Sequence, residues 1–251
     1  MTATTRVLAL NGSPRGEHSN THALLTPFLE GAEAAGAEVQ TFIVKDLDIG
    51  FCRGCFTCWA VTPGRCCQDD DMTAVLAAFR RADYVVFATP LYHFGMTALL
   101  KRLLERTLPT LDPHIVQRGD RSGHRLRPDT NRWRAVVISN CGFPDRVHFE
   151  ALLEHFKHLT GGGRGLAAAI CVAAGEALGR TYTPGGPFEW LWAALRRAGQ
   201  EVVTAGHLSP ETAEILARPL LPAEDYVRAA NAGWDAQLAR RSGSELTPPI
   251  P

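Results

Sequence analysis

The stretch RVLALNGSPRGEHSNT, residues 6–21, contains an apolar run, a glycine-containing turn and the start of a helix. The apolar run at residues 6–10 has the composition of a buried strand, and the Asn-Gly-Ser-Pro sequence after it ends that strand. Apolar residues then recur at spacings of one, three or four over residues 20–35, which predicts an amphipathic helix. The stretch therefore predicts a strand that passes through a tight turn into a helix.

The same alternation continues along the chain. Strands are predicted at residues 6–10, 39–44, 83–89, 133–139 and 166–174. Helices are predicted at residues 20–35, 69–81, 95–107, 145–159, 188–198 and 224–239. Continuously apolar strands are typical of a parallel sheet that helices cover on both faces. We expect one α/β domain over residues 1–241, with a core at 6–175, a C-terminal helical extension at 186–241 and a disordered tail at 242–251.

A polar stretch rich in proline and arginine, residues 109–132, separates two of these elements. We interpret it as an excursion loop that is either a functional lid or a mobile segment, because structureless loops of this length are uncommon in compact domains.

Composition excludes several classes of function. The 251 residues include 26 Lys plus Arg and 26 Asp plus Glu, so the formal net charge is zero. Without a global positive field, we expect no binding to nucleic acid or to an anionic membrane. No run of 18 uncharged apolar residues predicts a membrane helix. The first residues lack the features of a secretory signal, so we expect a cytoplasmic protein.

The loop after the first strand carries the side chains and backbone groups of an anion site. In open parallel sheets, ligands bind beyond the carboxyl ends of the strands. The N–H groups at the start of a helix attract anions, and arginine binds phosphate bidentately. The candidate phosphate-binding residues are Ser13, Arg15, Ser19, Asn20 and Thr21. The alternative is helix capping by Ser19 or Asn20. The loop is neither Gly-x-Gly-x-x-Gly nor a Walker loop, so a dinucleotide or ATP is not the first choice.

Two further strand-end loops combine aromatic side chains with glycine. They comprise Pro90, Leu91, Tyr92, His93, Phe94, Gly95 and Met96, and then Asn140, Cys141, Gly142 and Phe143. Such loops suit a flat heteroaromatic ring, because they offer stacking faces and close backbone approach. The alternative is an aromatic cluster that closes the end of the sheet. The three loops together suit a phosphate at one end and a ring at the other, which is the shape of FMN.

Five of the seven cysteines lie within residues 52–67, in the pattern Cys52-x-x-Cys55-x-x-Cys58 followed by Cys66 and Cys67. An odd number of cysteines cannot pair completely, and such a cluster in a chain without an export signal is more typical of metal or redox chemistry. Four thiolates at these spacings can bind a [4Fe–4S] cluster or zinc. Free structural thiols remain the alternative.

Three motifs resemble a known family. GSPRxxxSNT at 12–21, PLYxFGM at 90–96 and CGFP at 141–144 resemble the flavodoxin-like NAD(P)H-dependent FMN reductase superfamily, and within it the iron–sulfur flavoprotein and multimeric flavodoxin branch. The resemblance covers residues 6–175. It implies a flavodoxin-like, doubly wound sheet of five parallel strands in the order 2-1-3-4-5. It also implies FMN, with the phosphate on the first loop and the ring between the other two.

The resemblance bears on the cysteines in two ways. It implies Cys52, Cys55, Cys58 and Cys66 as the ligands of a [4Fe–4S] cluster. Other relatives carry these cysteines without a cluster, and in them the segment forms a wall of the flavin pocket. The bulky Phe56 and Trp59 suit either arrangement, so both stay open.

The resemblance implies an FMN-dependent NAD(P)H oxidoreductase that transfers hydride through flavin N5 to a small acceptor such as a quinone, a nitro or azo aromatic, or a flavin. The hydride chemistry belongs to the flavin, and Tyr92 and His93 are the candidate catalytic side chains nearest the ring. One alternative is an electron carrier that uses a [4Fe–4S] cluster plus FMN. Another is a non-enzymatic thiol or zinc redox sensor. Relatives imply a homodimer or homotetramer.

Overall fold

A parallel sheet organises residues 4–242, the part of the chain that the computed structural model describes. The strands are β1 (Arg6–Asn11), β2 (Glu38–Ile43), β3 (Tyr84–Pro90), β4 (Leu111–Arg118), β5 (Arg121–Leu126), β6 (Arg134–Asn140) and β7 (Leu166–Val172). Five of them form the parallel sheet β2-β1-β3-β6-β7, while β4 and β5 form a separate hairpin. Counting only the sheet strands, the order is 2-1-3-4-5, which confirms the expected topology.

Helices cover both faces of this sheet. They are α1 (Asn20–Ala34), α2 (Thr57–Ala60), α3 (Met72–Arg81), α4 (Ala98–Glu105), α5 (Glu150–Leu159), α6 (Glu189–Ala205), α7 (Pro210–Leu216) and α8 (Ala223–Ser242). The register places Leu10, Phe87 and Val137 side by side, and they share one core with α3, α4 and α5. Because alternate side chains of a strand point to opposite faces, Ala9 and Val136 join the other core, with α1, α6 and α7.

Helix α6 lies in direct backbone contact with α1. A Cβ atom on Gly31 would overlap the backbone carbonyl of Arg196, and one on Gly199 would overlap that of Phe28. Trp192 of α6 is 1% exposed and belongs to the same core as α1. The helical extension that follows β7 therefore helps to hold α1 against the sheet.

The expectation of an excursion loop at residues 109–132 is wrong. Strands β4 and β5 pair antiparallel, and Arg118 and Arg121 close a two-residue turn in which Gly119 has φ 64°. Most side chains of the hairpin are polar or exposed, so no apolar alternation marks its strands. The Gly-Asp dipeptide at the turn is the local signal that identifies the hairpin.

Several helix boundaries differ from expectation. Helix α4 begins at Ala98 rather than 95, because Thr97 caps it and accepts the N–H of Leu100. Residues 146–149 form a 3₁₀ turn before α5 instead of its first turn. Helices α2 and α7 were not expected, although Ser209 and Pro210 mark the start of α7.

Within residues 4–242, no helix combines the length and the apolar character that a bilayer-spanning segment needs. Helix α8 runs to Ser242, and the rest of the tail expected to be disordered, residues 243–251, lies outside the described residues.

Candidate functional site

The loops after β1, β3 and β6 meet in one cleft of about 510 Å³ at the carboxyl edge of the sheet. Its walls are Ser13, Arg15, Ser19, Asn20, Thr21, Pro90, Leu91, Tyr92, Asn140, Cys141, Gly142 and Glu176. All five predicted phosphate-loop residues are present, together with the start of the second and third loops.

Hydrogen bonds between the loops fix the shape of this cleft. The Thr21 hydroxyl donates to Asn140 Oδ1 at 2.8 Å, and the Leu91 N–H donates to the Asn140 carbonyl at 2.8 Å. The Thr97 hydroxyl donates to the carbonyl of Gly12 at 2.6 Å. The three strand ends are therefore held together without a ligand.

The start of α1 presents a set of unused donors to the cleft. The backbone N–H groups of Ser19, Asn20 and Thr21 have no acceptor among residues 4–242. The side-chain Nδ2 of Asn20 is also buried without a partner, while its Oδ1 accepts the Arg180 N–H at 2.7 Å. Free N–H groups at the positive end of a helix dipole form an anion site, so this end of the cleft suits a phosphate.

Two of the predicted donor side chains, those of Ser19 and Thr21, make hydrogen bonds within the protein instead. The Ser19 oxygen accepts the N–H of His22 at 3.1 Å, and its hydroxyl donates to the Gly16 carbonyl at 2.6 Å. The Ser19 side chain therefore caps the helix, and the Thr21 hydroxyl already donates its hydrogen bond to Asn140. The candidate phosphate donors that remain are the main-chain N–H groups, Asn20 Nδ2, Arg15 and the hydroxyl of Ser13, whose oxygen accepts the Arg15 N–H at 3.2 Å.

Glu176 is a cleft residue that sequence reasoning missed. Its Oε1 lies 3.4 Å from Arg15 Nη1, and both side chains are about half exposed, so the ion pair is weak. Glu176 follows β7, and the rule that ligands bind beyond strand ends, applied to this strand too, would have found it.

The second loop forms a strained turn. Tyr92 and Gly95 exchange N–H to carbonyl bonds of 3.0 and 2.9 Å around His93 and Phe94, whose φ angles are 46° and 63°. Non-glycine residues in this left-handed region cost of order 1–3 kcal/mol each, and such strain concentrates at ligand sites. The N–H groups of His93 and Phe94 have no acceptor among the described residues.

An aromatic group lies next to the cleft walls. The ring of His148 lies 5.7 Å from that of Phe94 and 4.7 Å from that of Phe143, and its Nε2 lies 3.8 Å from Asp145 Oδ2. His148, which no motif marked, thus joins the second and third loops. His93, Phe94, Gly95, Met96 and Phe143 lie outside the cleft wall, and Met96 packs on the α3–α4 core.

Helix α8 is anchored to the third loop. The Tyr226 hydroxyl donates to the Gly142 carbonyl at 2.9 Å. Burial, and then the carboxylate of Glu176, raise the pKa of Tyr226, so the phenol stays protonated and keeps this bond.

The five clustered cysteines surround a second cavity, of about 340 Å³. The Sγ atoms of Cys55 and Cys67 are 3.9 Å apart. Hydrogen bonds from Thr57 lower the pKa of Cys55 to about 7, whereas burial raises that of Cys58. Across residues 4–242, no group of three or more His, Cys, Asp or Glu side chains is arranged to hold a metal ion.

A buried ion pair holds this cysteine segment in place. Arg106, 1% exposed, donates to both carboxylate oxygens of Asp70 at 2.7 and 3.0 Å and to the Gly50 carbonyl at 2.7 Å. Trp59 in the segment donates to the Leu108 carbonyl at 3.1 Å. The segment is therefore tied to the end of α4 at both of its ends and in its middle.

Comparisons with known proteins place the chain among flavoproteins. An iron–sulfur flavoprotein from Archaeoglobus fulgidus is 34% identical over 104 residues, which are 41% of this chain and 46% of that protein. The chain spans about half the length of the curated relatives it matches.

Solved structures share the fold. An NAD(P)H:quinone oxidoreductase from Methanothermobacter marburgensis has a TM-score of 0.56 at 19% identity, over 82% of this chain and 100% of that one. An FMN-dependent NADH-azoreductase from Bacillus anthracis, in complex with FMN, has a TM-score of 0.57 at 14% identity, over 80% of this chain and 100% of that one. At these identities the likeness shows a common flavodoxin-like fold.

The family itself is shown by the sequence. Residues 5–139 match the model of a family described as NADPH-dependent FMN reductase. The match covers more than half of the 251 residues and includes the first two strand-end loops and the cysteine segment. The chain belongs to the NADPH-dependent FMN reductase family.

Proposed function

We propose that the chain is an FMN-dependent NAD(P)H oxidoreductase that reduces a small acceptor such as a quinone, a nitro or azo aromatic, or a flavin. The observation that carries this proposal is the cleft, which has free helix N–H groups at one end and a strained aromatic turn at the other. Family membership and the names of the structural neighbours support it.

The residues of the chain bind and orient the cofactor. When bound, FMN supplies hydride acceptance from the nicotinamide and hydride donation to the acceptor. The N–H groups of residues 19–21 and the Arg15 guanidinium would hold its phosphate, and the free N–H groups of His93 and Phe94 would be available as donors to the ring. Tyr92, Phe94 and Phe143, each about half exposed, leave an apolar surface for the second substrate.

Steady-state kinetics test this function. Because the nicotinamide and the acceptor would use the same exposed surface in turn, we expect ping-pong kinetics, with parallel double-reciprocal lines for NAD(P)H against a benzoquinone. Failure of the FMN-loaded protein to oxidise either nicotinamide with any of the acceptor classes would contradict the proposal.

Two charge variants test the phosphate end. Arg15→Ala is expected to weaken FMN binding about tenfold, because it removes a charge-assisted contact, and to leave riboflavin binding unchanged. Glu176→Gln is expected to strengthen FMN binding about threefold, since it removes a carboxylate beside the anion. Quenching of flavin fluorescence during titration of the apoprotein measures both. Equal effects on FMN and riboflavin would place the phosphate elsewhere.

A second candidate function is electron transfer through a [4Fe–4S] cluster plus FMN. It rests on the five cysteines that line one cavity, with the buried Arg106 guanidinium on the same wall. The described thiols do not converge on the position of a single ion, so cluster binding requires the segment 52–67 to draw its sulfur atoms together. Cys52, Cys55, Cys58 and Cys66 would be the ligands.

Neighbouring cysteines provide a matched test. In protein purified without oxygen, the cluster would give about four iron atoms per chain and broad absorption near 400 nm. Cys66→Ser is expected to lose most of this iron, whereas Cys67→Ser keeps it, because only Cys66 belongs to the ligand set. Iron-free wild-type protein would exclude the cluster. Zinc without NAD(P)H oxidation would instead favour a thiol or zinc redox sensor.

A further inference from the structure

A large groove lies at the opposite edge of the sheet from the cofactor cleft. It has a volume of about 890 Å³, is open to solvent, and runs between the β4–β5 hairpin and the connector 160–165. Arg134 at the start of β6 and Gly165 just before β7 line it. Since β6 has seven residues, the groove lies about 20 Å from the cleft at the other end of that strand.

The rim of this groove, which we call the arginine groove, carries unpaired positive charge. Arg118, Arg121, Arg132 and Arg164 line it. None of the four forms an ion pair with a carboxylate within residues 4–242, and Arg121 Nη1 instead lies 3.4 Å from His158 Nδ1. Because the chain has no net charge, this concentration of guanidinium groups is a local feature, which attracts anions.

The interior of the arginine groove is mostly apolar, with two polar atoms that have no hydrogen-bond partner. Phe79, Leu104, Leu126 and Trp133 form its floor. Trp133 Nε1 is buried without a partner, and so is Nδ1 of His124, a further lining residue. Buried polar atoms are nearly always paired in folded proteins, so a hydrogen-bond acceptor that enters the groove could give the Trp133 N–H the partner it lacks.

The glycine-rich connector lies beside one of these guanidinium groups. Gly161, Gly162 and Gly163 all have positive φ, and a Cβ atom on Gly162 would touch the Arg121 guanidinium at 3.7 Å. A Cβ atom at that distance would make only an ordinary van der Waals contact, so the connector and the Arg121 guanidinium lie side by side in the wall of the groove.

We propose that the arginine groove binds a small amphipathic organic anion. Its apolar body lies on the Phe79–Trp133 floor, and its sulfonate, carboxylate or phosphate head accepts hydrogen bonds from Arg121 and Arg164. Apolar cavities with a few convergent charged donors are the usual form of such sites, and guanidinium groups match these head groups bidentately.

A pair of fluorescent probes with the same apolar body tests the proposal. FMN-loaded protein is titrated with 8-anilino-1-naphthalenesulfonate and with its uncharged analogue N-phenyl-1-naphthylamine. The anion is expected to bind at least about tenfold more tightly, since hydrogen bonds to charged groups strengthen binding by this order. In Arg121→Gln/Arg164→Gln the two affinities become equal. Arg125→Gln/Arg218→Gln, which removes two exposed arginines outside the groove, keeps the preference.

Three results would overturn the proposal. The first is equal affinity of the two probes for the wild type. The second is a preference that survives in the Arg121→Gln/Arg164→Gln variant. The third, from sedimentation velocity, is a wild-type oligomer that binds neither probe and dissociates in that variant, because the arginine groove would then be an interface between copies of the chain.

Discussion

Replacing Gly199 by alanine is expected to destabilise the fold by about 3 kcal/mol or more. The new Cβ atom would overlap the Phe28 carbonyl and lie 2.8 Å from the backbone N of Ala32. Neither is the flexible end of a side chain, so α6 must move away from α1 as a unit. Overpacking usually costs about 1–3 kcal/mol, and larger losses occur where the surroundings cannot relax. Urea unfolding followed by circular dichroism measures the change.

The same substitution at Gly233 is the matched control. Gly233 lies in α8 with no atom within 4 Å of the position of an added Cβ. Alanine is favoured over glycine in a helix by about 1 kcal/mol, so Gly233→Ala is expected to be neutral or stabilising. The free energy of unfolding is therefore expected to fall in Gly199→Ala and to stay the same or rise in Gly233→Ala. Equal effects would show that α6 does not pack on α1 as described.

Asp70→Asn is expected to cost about 3–5 kcal/mol, because it leaves the buried Arg106 guanidinium without its countercharge. Asp129→Asn is the control, since Asp129 pairs with Arg80 but its side chain is 60% exposed. Exposed ion pairs contribute about 0–1 kcal/mol. A loss for Asp70→Asn no larger than for Asp129→Asn would contradict the structural role of the buried pair.

The loss of stability caused by Asp70→Asn is also expected to depend on pH. Burial alone would raise the pKa of Asp70, but hydrogen bonds from Arg106 and from the N–H groups of Gly50 and Met72 outweigh it and lower that pKa below 3.8. A carboxyl with a lowered folded-state pKa contributes its full stability above the unfolded value and loses it as the pH falls through the folded value. The difference between wild type and Asp70→Asn is therefore expected to shrink below pH 3.8.

Local patterns predicted most of the fold. The apolar runs of β1, β3, β6 and β7 are buried on both faces, so each was recognisable as a core strand. Gly31 lies against the Arg196 carbonyl and Gly199 against the Phe28 carbonyl; these contacts join residues far apart in the sequence, and no local signal marks them. The β4–β5 hairpin was missed because its side chains are mostly exposed, although its Gly-Asp turn was visible.

The site was predictable as a set of loops but not in its individual contacts. The strand-end rule located the cleft, because parallel strands bring their carboxyl ends to one edge. It did not show that Ser19 and Thr21 would use their hydroxyls within the protein and leave the main-chain N–H groups free. Glu176 follows β7 and His148 follows β6; both enter the site through tertiary packing, and neither belongs to any of the three motifs.

The affinities of the apoprotein for FMN and riboflavin test the central claim most directly, because the two ligands differ only in the phosphate. Three free N–H groups at the start of α1, together with Arg15, would make several charge-assisted bonds to that phosphate. We expect FMN to bind more than about 100-fold more tightly than riboflavin. Affinities within a factor of about three would contradict a phosphate site at the start of α1.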